Sequence, residues 1–155
     1  MIILFFFILT FYLFIIFFFN LLDETQMQFW EACSDGKVEE VQKLLQNPQL
    51  TSINRVSDGK TPFQIACRNN SLEVIKILLS DGRVDVNQTD KDNWTPFHVA
   101  CARGHIEIVK LLLNDKRISI KKETKKGKTA IDIAKEENHS NIVKLIQEFD
   151  TGNHK

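Results

Sequence analysis

The pattern of apolar and polar positions divides this chain at residue 22. Residues 1–22 read MIILFFFILTFYLFIIFFFNLL and carry no charge; only Thr10, Tyr12 and Asn20 have polar side-chain groups. A helix of about 20 such residues spans the ~30 Å hydrocarbon core of a bilayer. The segment therefore fits an N-terminal transmembrane helix. It fits a cleaved secretory signal less well, because no Lys or Arg precedes Lys37 and no Ala or Gly lies near Asn20–Asp23. A third reading is a mis-assigned start, with A/T-rich codons behind the Phe, Ile and Leu and Met27 as the true first residue.

Beyond the break, the pattern recurs every 34 residues. Ala32, Ala66, Ala100 and Ala134 share one register, as do Phe29, Phe63 and Phe97. Cys33, Cys67 and Cys101 share another, and Leu44, Leu78 and Leu112 continue to Ile146. So many residue types in one period define an internal repeat. Four units result, at about 25–57, 58–91, 92–125 and 126–150, with a polar tail over 151–155.

Each unit predicts two short helices and a tight turn. Thr61-Pro62 and Thr95-Pro96 read as an N-cap followed by the first helical residue. Thr61 with Gln64 fits a capping box, and Thr25 with Gln28 has the same spacing. Gly36, Asn70, Gly104 and Asn138 then fall where a helix ends in the left-handed region. Second helices follow, with Leu72, Ile75, Leu78 and Leu79, or Ile106, Val109, Leu112 and Leu113, on one apolar face. Asp58-Gly59, Asp92-Asn93 and Lys126-Gly127 mark the turns between units. One such unit cannot bury its apolar face alone, so the units must stack.

These residues closely resemble the ankyrin repeat. The resemblance is carried by Thr95-Pro96-Phe97-His98-Val99-Ala100 and by Gly104-His105 leading into Ile106–Leu113. Thr61–Ala66 and Val84-Asp85-Val86-Asn87 match it as well. The fourth unit has Ala130 in place of Pro, and the first has Met27-Gln28 where Thr-Pro would stand. The resemblance implies an all-α ankyrin-repeat solenoid of helix-turn-helix units with short β-hairpin turns. It also implies a non-catalytic scaffold or adaptor that binds a partner protein through hairpin tips and inner helices.

Composition adds two constraints. The 43% apolar average describes neither part of the chain, because all twenty acidic and all twenty basic side chains lie beyond residue 22. The zero net charge argues against a dedicated nucleic-acid binder. It also conceals a polarity. Residues 23–59 hold seven acidic and three basic side chains. The segment 116–128 holds Lys116, Arg117, Lys121, Lys122, Lys125, Lys126 and Lys128 against Glu123 alone. That cluster reads as a solvated hairpin or, more sharply, as a surface for an acidic partner or anionic headgroups.

The candidate chemistry dissolves on inspection. The three Cys occupy equivalent positions in neighbouring units. Packed helices lie about 8–10 Å apart, whereas a disulfide needs Cα atoms within about 7 Å. Small buried thiols are expected, which suits a reducing compartment. His98 belongs to the turn motif, and His105 and His139 begin second helices. No phosphate-cradling loop, zinc-ligand spacing or nucleophile motif is found. Neither cofactor nor metal is expected, and no enzyme activity.

Register and turn geometry nominate the partner-binding positions. They are Lys60, Arg68 and Asn69 in the second unit, and Lys91, Asp92, Trp94 and Arg103 in the third. Lys125, Lys126 and Lys128 follow in the fourth. Trp94 stands out, because exposed aromatics are enriched in binding hot spots. The expected state is a monomeric, cytoplasmic repeat domain with a protein partner. Two alternatives stay open: a membrane-tethered scaffold anchored by residues 1–22, and a regulatory piece of a larger enzyme.

Overall fold

The computed structural model describes residues 24–152, and within them eight helices form four stacked pairs. α1 covers 24–35. It is followed by α2 (Val38–Leu45), α3 (Pro62–Arg68), α4 (Leu72–Ser80) and α5 (Pro96–Arg103). α6 (Ile106–Leu113), α7 (Ala130–Glu136) and α8 (Ser140–Gly152) complete the solenoid. α5 packs between α3 and α7 in the inner layer, and α4 packs between α2 and α6 in the outer one.

The turn inside each pair follows from one backbone position. Gly36, Asn70, Gly104 and Asn138 all have positive φ, between 60° and 74°. The residue after each donates its N–H back to the register Ala: Lys37 to Ala32, Ser71 to Ala66, His105 to Ala100 and His139 to Ala134. This is the six-to-one bond of a Schellman ending, and it satisfies a carbonyl the helix leaves open. Gly104 has a second constraint. A Cβ there would lie 2.7 Å from the His139 ring.

The helices start as their residues dictate. Thr61 and Thr95 are extended N-caps with Pro62 and Pro96 at the first helical position. The Thr61 N–H donates to Gln64 Oε1 at 2.9 Å while its Oγ1 accepts from the Gln64 N–H. Thr129 keeps its cap without the Pro by donating its backbone N–H to Asp132 at 3.0 Å. Thr25 behaves differently. It and Gln28 both lie inside α1, so Thr25 does not stand at an N-cap position as expected. Thr25 is buried within the first unit instead.

The core is a column of repeated side chains. Phe29, Phe63 and Phe97 are at most 2% exposed, and the four register Ala residues at most 1%. Ala at that position leaves space for adjacent inner helices to approach closely. Fully burying each aromatic or branched side chain contributes ~1.5–3 kcal/mol.

The turns between units depart from the expected β-hairpins. Among the described residues there is no strand, only an isolated bridge between Ser57 and Lys60. Asp58 and Gly59 between them both have positive φ, as a two-residue type I′ turn requires. The next two fingers close with three tip residues. Asp90 N–H donates to the Trp94 carbonyl and Thr124 N–H to that of Lys128, with Asn93 and Gly127 at positive φ. One residue pair per finger is too little pairing to make a strand. The tail also differs, since α8 continues through Thr151 and Gly152.

Among the described residues, no helix is long and apolar enough to cross a membrane. The expected anchor at 1–22 lies outside them.

Candidate recognition groove

Side chains tie each unit to the next at one repeated position. Trp30, Gln64 and His98 stand 34 residues apart, each directly after the register Phe. Trp30 Nε1–H donates to the Lys60 carbonyl at 3.2 Å. Gln64 Nε2–H donates to the Trp94 carbonyl at 2.8 Å. His98 Nδ1 accepts the Thr95 N–H, which leaves the proton of the neutral ring on Nε2. That Nε2–H faces the Lys122 and Lys128 carbonyls, though without a hydrogen bond of full geometry. Lys60, Trp94 and Lys128 are themselves in register, so Trp30 and Gln64 fix two fingers in the same way and His98 faces the third. His98 is 1% exposed, and burial holds its pKa below the ordinary 6.5.

The fingers so fixed form one wall of a groove of about 870 Å³ that crosses the second, third and fourth units. The inner helices form the other wall, where Val99, Ala102 and Ile133 supply an apolar floor. The Lys125 N–H donates to the Asp92 carbonyl at 3.0 Å and joins the last two fingers directly.

The groove gathers most of the residues nominated by register. Lys60, Asp92 and Trp94 line it from the second and third fingers, and Lys125, Lys126 and Lys128 from the fourth. Arg68 and Arg103 line it from the ends of α3 and α5. Two nominated residues fall outside. Asn69 donates its amide to the Ser34 carbonyl at 2.8 Å, which joins the first two units. Lys91 is exposed on the third finger but does not line the groove. Glu136, Glu137 and Asp90 also line it and were missed by the sequence reading. Glu136 and Glu137 stand in register with Ala102 and Arg103, a signal that could have placed them.

Trp94 is half-buried, with its ring 6.2 Å from that of His98 at 53°. It thus both packs on its own unit and shows a face to the groove. Its indole Nε1–H has no partner among the described residues. Asp90 holds the finger by accepting the N–H groups of Asp92 and Trp94 at 2.8 and 2.9 Å.

The basic cluster of the sequence does not act as one surface. Lys121 pairs with Asp150, Lys128 with Glu136, and Arg117 with Asp115. Only Lys125 and Lys126 bring unpaired charge to the groove, where Lys60, Arg68 and Arg103 join them.

The thiols lie in the core beneath. Cys33, Cys67 and Cys101 are free and buried. Burial pushes the Cys33 pKa up to about 12 and raises the other two as well, so all three are protonated at neutral pH. Among the described residues, no group of three or more His, Cys, Asp or Glu is placed to hold a metal ion.

Stacked helix pairs, left-handed turns and projecting fingers define a repeat solenoid of the kind that presents an extended binding surface. A family model described as "Ankyrin repeats (3 copies)" matches residues 19–90 and 82–154, and the chain belongs to the ankyrin-repeat family. Comparison with curated proteins finds no match. Ankyrin repeats are generally protein–protein interaction modules.

Proposed function

We propose that the repeat domain is a non-catalytic scaffold that holds a segment of a partner protein in the groove between its fingers and inner helices. One observation carries this reading: eight of the ten register-nominated positions line a single groove, with Trp94 among them. A half-exposed aromatic beside cations and an apolar floor has the composition of a binding hot spot. The test is affinity capture of a partner, followed by replacement of Trp94 and Arg103 together by Ala. Partner affinity should fall at least about tenfold while the thermal midpoint holds. Unchanged affinity would sink the proposal.

A second reading builds on the uncharged run at 1–22. It places the scaffold at a membrane surface, with the partner localised there. Few residues separate Leu22 from α1, so a tethered solenoid would sit close to the headgroups. Thr25 and Gln26 support the retention of residues ahead of Met27, because both are buried in the first unit. Mass spectrometry of the N-terminal peptide is the check. A mature chain beginning at Met27 removes the tether.

A further inference from the structure

On the reading that the groove is the contact face, we propose that it takes an acidic peptide segment of the partner, with carboxylates set against Arg68, Arg103 and Lys60. The charges that line the groove are unequal in what they already do. Asp90 is occupied by backbone N–H groups of its own finger, and Glu136 by Lys128 at 2.6 Å. Lys60, Arg68, Arg103, Lys125 and Lys126 line the same groove, and none of them has an ion pair among the described residues. Against these five cations stand Asp92 and Glu137. Cations from three units converge on a concave wall, where their fields add and draw an anionic ligand.

The sign of charge also changes along the groove. The ends of the inner helices carry Arg68 in the second unit, Arg103 in the third, and Glu136 with Glu137 in the fourth. Acidic residues of the ligand therefore lie over the second and third units and not over α7. Arg in those places can hold a carboxylate through two parallel N–H···O bonds. Trp94, whose Nε1–H has no partner among the described residues, brings a neutral donor to the same groove. A continuous phosphate backbone fits less well, because it would run onto Glu136 and Glu137. The apolar floor of Val99, Ala102 and Ile133 matches peptide side chains instead.

The experiment uses the full chain in a neutral detergent and measures fluorescence anisotropy. Its probes are a short labelled peptide of alternating Glu and Leu, the same peptide with Gln for Glu, and a single-stranded oligonucleotide. The Glu peptide should bind at least about tenfold tighter than the Gln peptide, and less tightly as salt rises. Replacing Arg68 and Arg103 together by Glu should remove that preference, and replacing them by Lys should retain most of it. An unchanged melting temperature in the Lys pair guards against a folding effect. Equal binding of the Glu and Gln peptides, tighter binding of the oligonucleotide, or indifference to the Glu pair overturns the proposal. The captured partner separates the two levels. If Trp94→Ala releases it and the Arg-to-Glu pair does not, the acidic ligand is wrong and the groove stands. If neither variant releases it, both fail.

Discussion

The outer helices and the groove handle charge in opposite ways. On the outer layer, Glu73 pairs with Lys76 at 2.6 Å and Glu107 with Lys110 at 2.8 Å, each one turn along its own helix. In the loops that follow those helices, Arg83 and Arg117 bind Asp81 and Asp115 and also reach the Leu45 and Leu79 carbonyls of the preceding unit. Every one of these cations finds its counter-charge within a few residues. Lys60, Arg68 and Arg103 do not. Cations without an ion pair among the described residues also stand outside the groove, at Lys43, Lys91 and Lys116, so what distinguishes the groove is that five of them, Lys60, Arg68, Arg103, Lys125 and Lys126, line one concave wall. Arg83 and Arg117 thereby tie neighbouring units together, while Lys60, Arg68 and Arg103 make no ion pair among the described residues.

The largest expected effect comes from breaking the turn that supports this arrangement. Gly104 ends α5 immediately after Arg103, at φ +74°, and a Cβ added there would lie 2.7 Å from the His139 ring. Gly104→Val must hold a β-branched residue in the left-handed region and also displace His139 from the Ala102 carbonyl, 3.1 Å away. The expected loss is about 2–4 kcal/mol in urea unfolding, with groove affinity falling as Arg103 shifts. Gly36 is the control in the same register. A Cβ there meets the Ser71 side chain, nearest at Oγ at 3.2 Å, and Asn is already the residue at two of the four positions. Gly36→Asn should cost less than about 1 kcal/mol. Equal losses at the two sites would show that the His139 contact does not matter.

This contrast also shows what the sequence made legible. The period alone located Gly36, Asn70, Gly104 and Asn138, because only certain residues tolerate that backbone and they recur in register. The buried Phe and Ala columns were legible for the same reason. The bonds between units were not. Trp30 and Gln64 each donate to a carbonyl 30 residues away, and His98 turns its Nε2–H toward the equivalent carbonyl of Lys128. Thr25 was misread because a Thr three residues ahead of a Gln has the spacing of a cap whether or not a helix begins there. The basic run at 116–128 looked like one patch because its counter-charges, Asp150 and Glu136, lie outside it in sequence. The candidate site was legible only as far as register extends. Arg68 and Arg103 could be nominated, but their lack of partners could not.

His98 offers a smaller effect with a defined sign. Burial lowers its folded pKa below the ordinary 6.5, against a smaller opposing contribution from the nearby carbonyls of Lys122 and Lys128. Below pH 6.5 the unfolded chain then binds a proton that the folded chain resists. The contribution is fully present above pH 6.5 and is lost as pH falls below it, at no more than about 1.4 kcal/mol per pH unit. Asp81, Asp115 and Asp132 have folded pKa values below 3.8, chiefly through side-chain hydrogen bonds, so their losses fall in a more acidic window. His98→Gln copies the arrangement at Gln64, where one amide accepts from the cap and donates to the next finger. Its stability at neutral pH should stay within about 1 kcal/mol of the parent. Its urea midpoint should show a weaker slope between pH 6.5 and 5. Parallel slopes for the two proteins would remove His98 as the source.

The smallest effect tests the other side of the comparison. Glu107 and Lys110 are 67% and 48% exposed, and their pair lies on α6, away from the groove. An exposed one-turn pair contributes only about 0.3–0.5 kcal/mol. Glu107→Gln should therefore change the unfolding free energy by less than about 0.5 kcal/mol. Its value lies in charge, because it frees one cation without moving the groove. If any unpaired Lys on this solenoid attracted an acidic peptide, Glu107→Gln would tighten binding of the Glu–Leu probe. If attraction needs cations gathered on a concave wall, affinity should stay within about twofold at physiological salt, where the screening length is about 8 Å. A larger gain would mean that net charge, and not the position of Lys60, Arg68 and Arg103, draws the ligand.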